Sequence, residues 1–190
     1  FTEIAELLNR LNLSIYTPSL YLLESAKDDY EINFDGSGIS IDGREKGLRK
    51  LMATNMLKRL ESSVNSFRLT ISRIDGYIDE TVKQINDFEK NRANKTIDVT
   101  DFLDDFDSYD AEDDALVGRK SKVNLNDMDY LSWRTDLLAD KERLDLLLLM
   151  LKDITPEHDS KLQMLYQDLL HKFEHNINDG NKKVLIFTAF

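Results

Sequence analysis

Apolar side chains recur in steps of three and four along residues 44–91, the most regular part of the sequence. The stripe consists of Leu60, Val64, Phe67, Ile71, Ile74, Ile78, Val82, Ile85 and Phe88. These steps place every member on one face of an α-helix and are typical of a coiled-coil-like seam. A helix of this length needs a partner to cover its seam, so the pattern predicts one long helix packed against another.

Residues 126–154 supply that partner. Asn126 can cap this second long helix, and its wide apolar face is formed by Leu131, Leu137, Leu138, Leu144, Leu147, Leu148 and Leu151. We expect it to pack antiparallel on the first long helix. Thr155 and Pro156 then form a start signal for a third helix, which ends near Gly180. Its apolar face comprises Leu162, Leu165, Leu169, Leu170 and Phe173.

Shorter elements precede the long helices. Residues 2–12 are predicted to form a short amphipathic helix, and Thr17 with Pro18 starts a second short segment. The alternating apolar residues of 30–43 indicate a small β-hairpin or a loop around Asp35 and Gly36. The DGSG string at 35–38 resembles a phosphate loop but lacks the Gly-Lys-Ser/Thr ending, so a turn explains it better.

The last residues are KVLIFTAF at 183–190, and the run VLIF at 184–187 is wholly apolar, as in a strand buried in a parallel sheet. A helix, a tight turn and such a strand form half of a βαβ unit. The sequence starts at Phe1 and stops inside this run, so we expect a piece of a longer protein. Without parallel neighbours, residues 184–190 are expected to pair with another chain, dock on the helices or be poorly ordered.

These patterns predict a mainly α fold, a long antiparallel helical hairpin or bundle with a small hairpin or loop near residues 30–43 and one C-terminal strand from a truncated α/β lobe. Residues 1–43 would be short helices and a linker, and residues 44–155 a helical domain with an acidic loop at 93–124. Residues 156–190 would begin the α/β lobe with a helix and its strand.

Composition narrows the class of protein. The absence of cysteine excludes a disulfide scaffold and fits a reducing compartment, so we expect a cytoplasmic protein. The longest apolar run, residues 144–151, is far shorter than the roughly 20 residues that span a bilayer, and no membrane is expected as a partner. The net charge of −11 argues by itself against nucleic-acid binding.

The distribution of charge changes that conclusion. Residues 98–114 carry nine acidic and no basic side chains, which indicates a solvated loop or, alternatively, an acidic lid on a basic surface. Residues 44–73 carry eight basic and two acidic side chains, a balance of +6. Such a surface can contact phosphates, or it can be a solvated face that pairs with the acidic loop. The candidate nucleic-acid-binding residues are Arg44, Lys50, Lys58, Arg59, Arg68 and Arg73.

The sequence offers little evidence for a catalytic or metal site. His171, Glu174 and His175 match the inverted zincin string H-x-x-E-H, but His158 lies more than three helical turns earlier and cannot be a third ligand. We therefore expect ordinary surface histidines rather than a metallohydrolase, with no metal and no catalytic residue in this chain. No Ser/His/Asp or Cys/His set is arguable.

Two stretches together resemble bacterial superfamily-two helicases of the Swi/Snf-like type. Residues 56–63, MLKRLESS, followed by Phe67 and Arg68, resemble a block that lies between the two RecA-like lobes of that family. Residues 159–162, DSKL, and the later run 183–188, KVLIFT, resemble the entry into the second lobe, where the strand is helicase motif IV. The order of the two stretches agrees with the family, and residues 93–154 resemble a variable insertion.

The resemblance implies a function for the longer protein. Family members are ATP-dependent motors on duplex nucleic acid, so the parent would use ATP and Mg²⁺ and act on nucleic acid, with DNA the expected partner. This chain lacks the ATPase motifs and would need no cofactor of its own. Its expected role is the helical segment between the lobes. The alternative is a helical protein-interaction module that presents the acidic loop to a partner.

Overall fold

A computed structural model describes residues 2–32, 41–91, 96–98, 122–175 and 180–187. The described chain is mainly helical, as predicted. Its helices are α1 (Thr2–Asn9), α2 (Glu24–Ile32), α3 (Ile41–Ser62), α4 (Val64–Asn91), α5 (Tyr130–Leu151) and α6 (Ser160–Glu174). Short 3-10 segments at Ser14–Tyr16, Pro18–Tyr21, Leu125–Asp127 and Pro156–His158 connect them.

The predicted seam is confirmed by burial. Seven of its nine side chains are buried, and Val64 and Val82 are half-buried and pack against the core. The single helix predicted over residues 44–91 is wrong, however, because α3 ends at Ser62 and α4 begins at Val64. The Ser63 hydroxyl accepts a hydrogen bond from the Ser66 amide at 3.3 Å. A serine that caps the next helix in this way competes with continuation of the first one.

Helices α4 and α5 form the antiparallel pair that the sequence predicts. Near the start of α5, Arg134 hydrogen-bonds Asn86 and Glu89 at the end of α4. At the other end of the pair, Arg68 in α4 reaches the Leu151 carbonyl. The Asp129 side chain caps α5 by accepting a hydrogen bond from the Ser132 amide. The predicted cap at Asn126 is therefore wrong by three residues. Asn126 itself lies in the preceding 3-10 turn.

The predicted third helix starts later than expected. Pro156 opens a 3-10 turn, and Asp159 caps α6 by accepting a hydrogen bond from the Leu162 amide at 3.0 Å. Its predicted apolar face is mostly uncovered, since Leu162, Leu165, Leu170 and Phe173 are each 37–43% exposed. None of the described residues of α6 is buried. This helix therefore differs from α1, α3, α4 and α5, each of which buries an apolar stripe.

Two predicted non-helical segments, residues 30–43 and the acidic loop 93–124, differ in part from the structure. Residues 30–32 end α2 and residues 41–43 begin α3, so the predicted hairpin is wrong for these six residues, while the turn at 33–40 lies outside the described residues. Of the acidic loop 93–124, the described ends Thr96–Asp98 and Lys122–Asn124 pair as antiparallel strands β1 and β2, with Thr96 opposite Asn124. Residues 93–95 and 99–121 lie outside the described residues.

The predicted C-terminal strand is absent from the described part of that segment. Residues 181–187 adopt neither helix nor strand, and residues 188–190 are outside the description. Leu185 and Phe187 are 83% and 91% exposed, because no neighbouring strand among the described residues offers hydrogen bonds or cover. A strand of this composition depends on neighbours on both sides.

A buried carboxylate attaches the N-terminal segment to the helical pair. Asp140 lies on the buried face of α5 and accepts hydrogen bonds from the Asn12 amide (2.7 Å), the Ser14 amide (2.8 Å) and the Ser14 hydroxyl (3.0 Å). The Trp133 ring nitrogen donates to the Ser14 carbonyl at 3.0 Å. Between the two amides, Leu13 adopts a left-handed backbone with φ 53°. These contacts complete one continuous core formed by α1, α3, α4 and α5.

Candidate nucleic-acid interface

The structure divides the predicted basic residues into two groups. Arg59 and Arg68 are half-buried and bond other parts of the helical core. Lys50 and Lys58 on α3 and Arg73 on α4 are exposed. The backbone of Arg44 belongs to α3, but its side chain is outside the described part of the structure. The six residues therefore do not form one surface.

The half-buried residues Arg59 and Arg68 each connect two helices. The Arg59 guanidinium donates to the Thr70 hydroxyl at 3.0 Å and so ties α3 to α4 across the break at Ser63. The Arg68 guanidinium donates to the carbonyls of Leu151 and Ile154 at 2.7 and 2.8 Å. The last carbonyls of a helix have no partner within the helix, and a cation is favourable at that negative end. Arg68 is thus a C-terminal cap for α5.

We expect Arg68→Ala to lower the free energy of unfolding by about 2 kcal/mol, since hydrogen bonds to charged groups contribute about 1.5–3 kcal/mol. The exposed Arg73→Ala serves as the matched control, with an expected change within about 0.5 kcal/mol. Urea unfolding followed by circular dichroism measures both. An unchanged stability together with weakened nucleic-acid binding in Arg68→Ala would instead support the phosphate contact expected from the sequence.

The exposed basic residues include two that the candidate set omitted. Lys46 and Arg49 join Lys50 along a groove between α1 and α3. Their spacing of three and four residues, visible in the sequence, is the signal that could have identified them. Among the residues that the structure describes, no acidic side chain pairs with Arg49, Lys50, Lys58 or Arg73.

Two basic residues at the contact between α4 and α5 are neutralised. Lys141 on α5 contacts Asp75 at 2.8 Å and Asp79 at 3.0 Å, both on α4. Partial burial alone would lower the pKa of Lys141, but the hydrogen bonds to these carboxylates outweigh it and raise that pKa. Arg134 is paired with Glu89 in the same way. Arg49, Lys50 and Lys58 on α3 have no such carboxylate partner among the residues that the structure describes.

Two tyrosines near the N-terminal segment are perturbed for structural reasons. Burial and the hydrogen bond to Asp136 raise the pKa of Tyr21 to about 12, and the Tyr21 hydroxyl lies 2.7 Å from the Asp136 carboxylate. Burial also raises the pKa of Tyr16. Both hydroxyls stay protonated near neutral pH and offer no general base. They belong to the packing of the core rather than to a reactive site.

The histidine string does not assemble a metal centre in the described part of the chain. The rings of His171 and His175 stack with their centroids 4.4 Å apart on the exposed end of α6. Within that described part, no group of three or more His, Cys, Asp or Glu side chains is placed to hold a metal ion. The geometry gives no third ligand to the pair.

Comparison with family models, curated proteins and solved structures finds no match to this chain in any of the three. None of the helices within the described ranges is both long and apolar enough to cross a membrane. The function must therefore be inferred from the residues themselves and from the geometry around them.

Proposed function

We propose that this chain is the helical segment between the two lobes of an ATP-dependent helicase or translocase that acts on nucleic acid, with DNA as the expected partner. In this role it does not hydrolyse ATP itself. The observation that carries the proposal is an apolar unit, α6 with residues 184–187, that the helical core leaves uncovered. We call it the docking unit.

The docking unit has the composition of an element that packs inside an α/β domain. Leu162, Tyr166 and Phe173 are 43%, 54% and 40% exposed, and residues 184–187 are 36–91% exposed. Burying one large apolar side chain contributes about 1.5–3 kcal/mol, so an uncovered stripe of this length indicates an interaction surface. A helix followed by a turn at Gly180, where φ is +74°, and then an apolar run suits the face and interior of a parallel sheet.

The two stretches that resemble the helicase family lie side by side in the structure. The Lys161 ammonium, in the second stretch, donates to the carbonyl of Glu61, in the first. Arg68, which follows the first stretch, bonds the carbonyls of Leu151 and Ile154 just before the second. Residues far apart in sequence thus meet at one junction between α3, α4, α5 and α6. This proximity supports the proposal independently of the uncovered apolar surface.

The junction suggests how the segment works. A displacement of the docking unit would act on the end of α3 through Lys161, and on the end of α5 through the connecting residues 152–159, where Arg68 holds the Ile154 carbonyl. Both helices belong to the packed core, which moves as a unit because close-packed interiors transmit strain. The exposed basic face of α3 would then change its position relative to nucleic acid. The proposed role is to couple closure of the lobes to the grip on the phosphate backbone.

Nucleic-acid-stimulated ATP hydrolysis by the complete polypeptide that carries this segment tests the proposal. Leu169 lies at the centre of the α6 stripe, and Leu169→Asp would place an unpaired carboxylate in the docked surface. We expect the stimulated kcat to fall about tenfold or more, since each 1.4 kcal/mol changes a rate tenfold. Met164→Asp is the matched control because Met164 lies on the opposite side of the helix, and its rate should stay within about twofold.

A wild-type polypeptide whose ATP hydrolysis does not respond to nucleic acid would contradict the proposal. Equal losses in Leu169→Asp and Met164→Asp would contradict the assignment of the docked face. The unfolding transition of the helical core serves as a control in both variants, since neither side chain is buried in it.

A further inference from the structure

A groove between α1 and α3 gathers three cations on one wall. Its volume is about 280 Å³, and α3 contributes Lys46, Arg49 and Lys50 to its lining. The α1 side and the loop that follows it contribute Asn9 and apolar side chains that include Leu8 and Leu11. We call this feature the basic groove. No Asp or Glu lines it among the residues that the structure describes.

The three cations are neighbours on the surface of α3. Residues spaced by three and four on a helix lie side by side, so Lys46, Arg49 and Lys50 form one positive patch. All three side chains are exposed on α3. The chain has a net charge of −11, but Arg49 and Lys50 have no acidic partner among the residues that the structure describes, and Lys46 adds a third positive charge to the same wall. Their concentration at a groove therefore indicates an anionic ligand.

A second groove on α1 shows that the charges are segregated. It lies between α1 and α5, has a volume of about 370 Å³ and is lined by Glu3, Glu6 and Arg10 beside Leu7 and Leu146. The same short helix thus presents acidic residues towards α5 and none towards the basic groove. Anions would be attracted to one side of α1 and repelled from the other.

The lining identifies the kind of anion. Flexible lysine and arginine side chains on a helix bind phosphate oxygens, which fix position without sequence information. Among the described residues, no aromatic side chain lines the basic groove, which therefore lacks a stacking platform of the kind that single-stranded nucleic acid uses. We infer that the basic groove binds the phosphate backbone of duplex nucleic acid through Lys46, Arg49 and Lys50. This inference rests on the proposed function and names the surface that carries out its nucleic-acid contact.

The basic groove changes which basic residues of α3 and α4 are expected to contact phosphate. Arg59 and Arg68, expected from the sequence to contact phosphate, are engaged in contacts between helices. Lys50 retains the role that the sequence suggested. Lys46 and Arg49 take the places of the two arginines in the interface. A contact made by these residues is independent of sequence and sensitive to salt, because phosphate binding releases condensed counterions.

Fluorescence anisotropy with the whole chain and a short labelled duplex of mixed sequence tests the inference, with salt varied from about 50 to 200 mM. The triple variant Lys46→Ala, Arg49→Ala, Lys50→Ala should raise Kd at least about tenfold and reduce the slope of log K against log salt by about 3. The matched control is Lys83→Ala, Lys90→Ala, Lys152→Ala. It removes the same charge from exposed positions outside the groove, and its slope should change by less than about 1.

A conservative variant separates binding from folding. Lys46→Arg, Arg49→Lys, Lys50→Arg keeps every charge and should bind within about threefold of wild type. All variants should unfold at the same urea concentration, since the replaced side chains are exposed.

Each other outcome overturns a defined part of the account. Equal weakening by the two alanine triples would show a diffuse charge effect and no site. Stronger binding of a single strand of equal length would overturn the duplex assignment, and so would equal competition by poly-glutamate at matched charge. If wild type binds the duplex and the groove triple binds equally well, this inference fails and the proposed function stands. If wild type binds no duplex, both fail.

Discussion

Replacing Asp140 with alanine is expected to lower the free energy of unfolding by about 3–5 kcal/mol, because several donors lose a charged acceptor at once. The variant would leave the amides of Asn12 and Ser14 without their acceptor, together with the Ser14 hydroxyl. Each buried donor left unsatisfied costs about 1–3 kcal/mol. Urea unfolding monitored by circular dichroism provides the measurement.

The effect should be large because several constraints converge on this carboxylate. Ser14 receives the Trp133 ring N–H on its carbonyl, so loss of Asp140 also loosens the position of a fully buried tryptophan. The left-handed backbone at Leu13 is uncommon for a leucine and persists only where surrounding contacts hold it. The Asp140 carboxylate supplies those contacts on both sides of Leu13.

Asp145→Ala is the matched control for this variant. Asp145 lies on the same helix, is 58% exposed and stands 4.0 Å from Lys141, so its removal should change stability by no more than about 0.5 kcal/mol. If Asp140→Ala and Asp145→Ala have similar stabilities, the N-terminal segment is not anchored through Asp140. The packed core described above would then be incomplete.

The helical pattern could be predicted from the sequence wherever one helix covers another. The stripe from Leu60 to Phe88 is buried because α4 and α5 pack along their length. The break at Ser63 could not be predicted from apolar spacing, because the stripe runs through it without a change of period. It depends on a hydroxyl and an amide three residues apart, which the apolar pattern does not record.

The buried acids were missed although a signal was present. Asp140 stands between Leu137 and Leu144, so it continues the buried stripe of α5 in steps of three and four. Glu45 occupies the corresponding place before Leu48 and Met52 on α3, where it accepts hydrogen bonds from Ser19. An acid on the apolar face of a helix predicts a polar partner from another element. The sequence cannot name that partner, because Asn12 and Ser14 are more than 120 residues away from Asp140.

The candidate interface could be predicted only as a region. Its +6 balance over residues 44–73 is a property of the sequence, but which cations stay in solvent is decided by packing. Arg68 bonds a carbonyl at the C-terminal end of α5, and the sequence of α4 does not reveal where that end lies. Lys46 and Arg49 belong to the candidate interface only because α1 packs opposite them and forms the other wall of the groove. Local charge thus located the region, and tertiary contacts selected the residues.

The second large effect concerns α6, which should exchange its amide hydrogens at least about a thousandfold faster than α4 and α5. Local opening costs range from near zero up to the whole free energy of unfolding, and a thousandfold difference corresponds to about 4 kcal/mol. A helix of the 15 residues in α6 is marginal in water when nothing covers its apolar face. The described α6 buries no side chain, whereas α4 and α5 bury their stripes.

Helix α1 provides an internal control for length. It has only 8 residues, fewer than α6, but it buries Ile4 and Leu8 in the core. If cover decides protection, α1 should exchange more slowly than α6 despite being shorter. If length decides it, the order should be reversed.

Amide hydrogen exchange of the whole chain, read by mass spectrometry at two protein concentrations, shows whether a self-sufficient helical core is joined to a docking unit that requires a neighbour. We expect slow exchange in α4 and α5, intermediate exchange in α1, and near-unprotected exchange in α6 and residues 184–187. Protection of α6 equal to that of α4 and α5 at both concentrations would contradict this expectation, because the apolar face would already be covered within this chain.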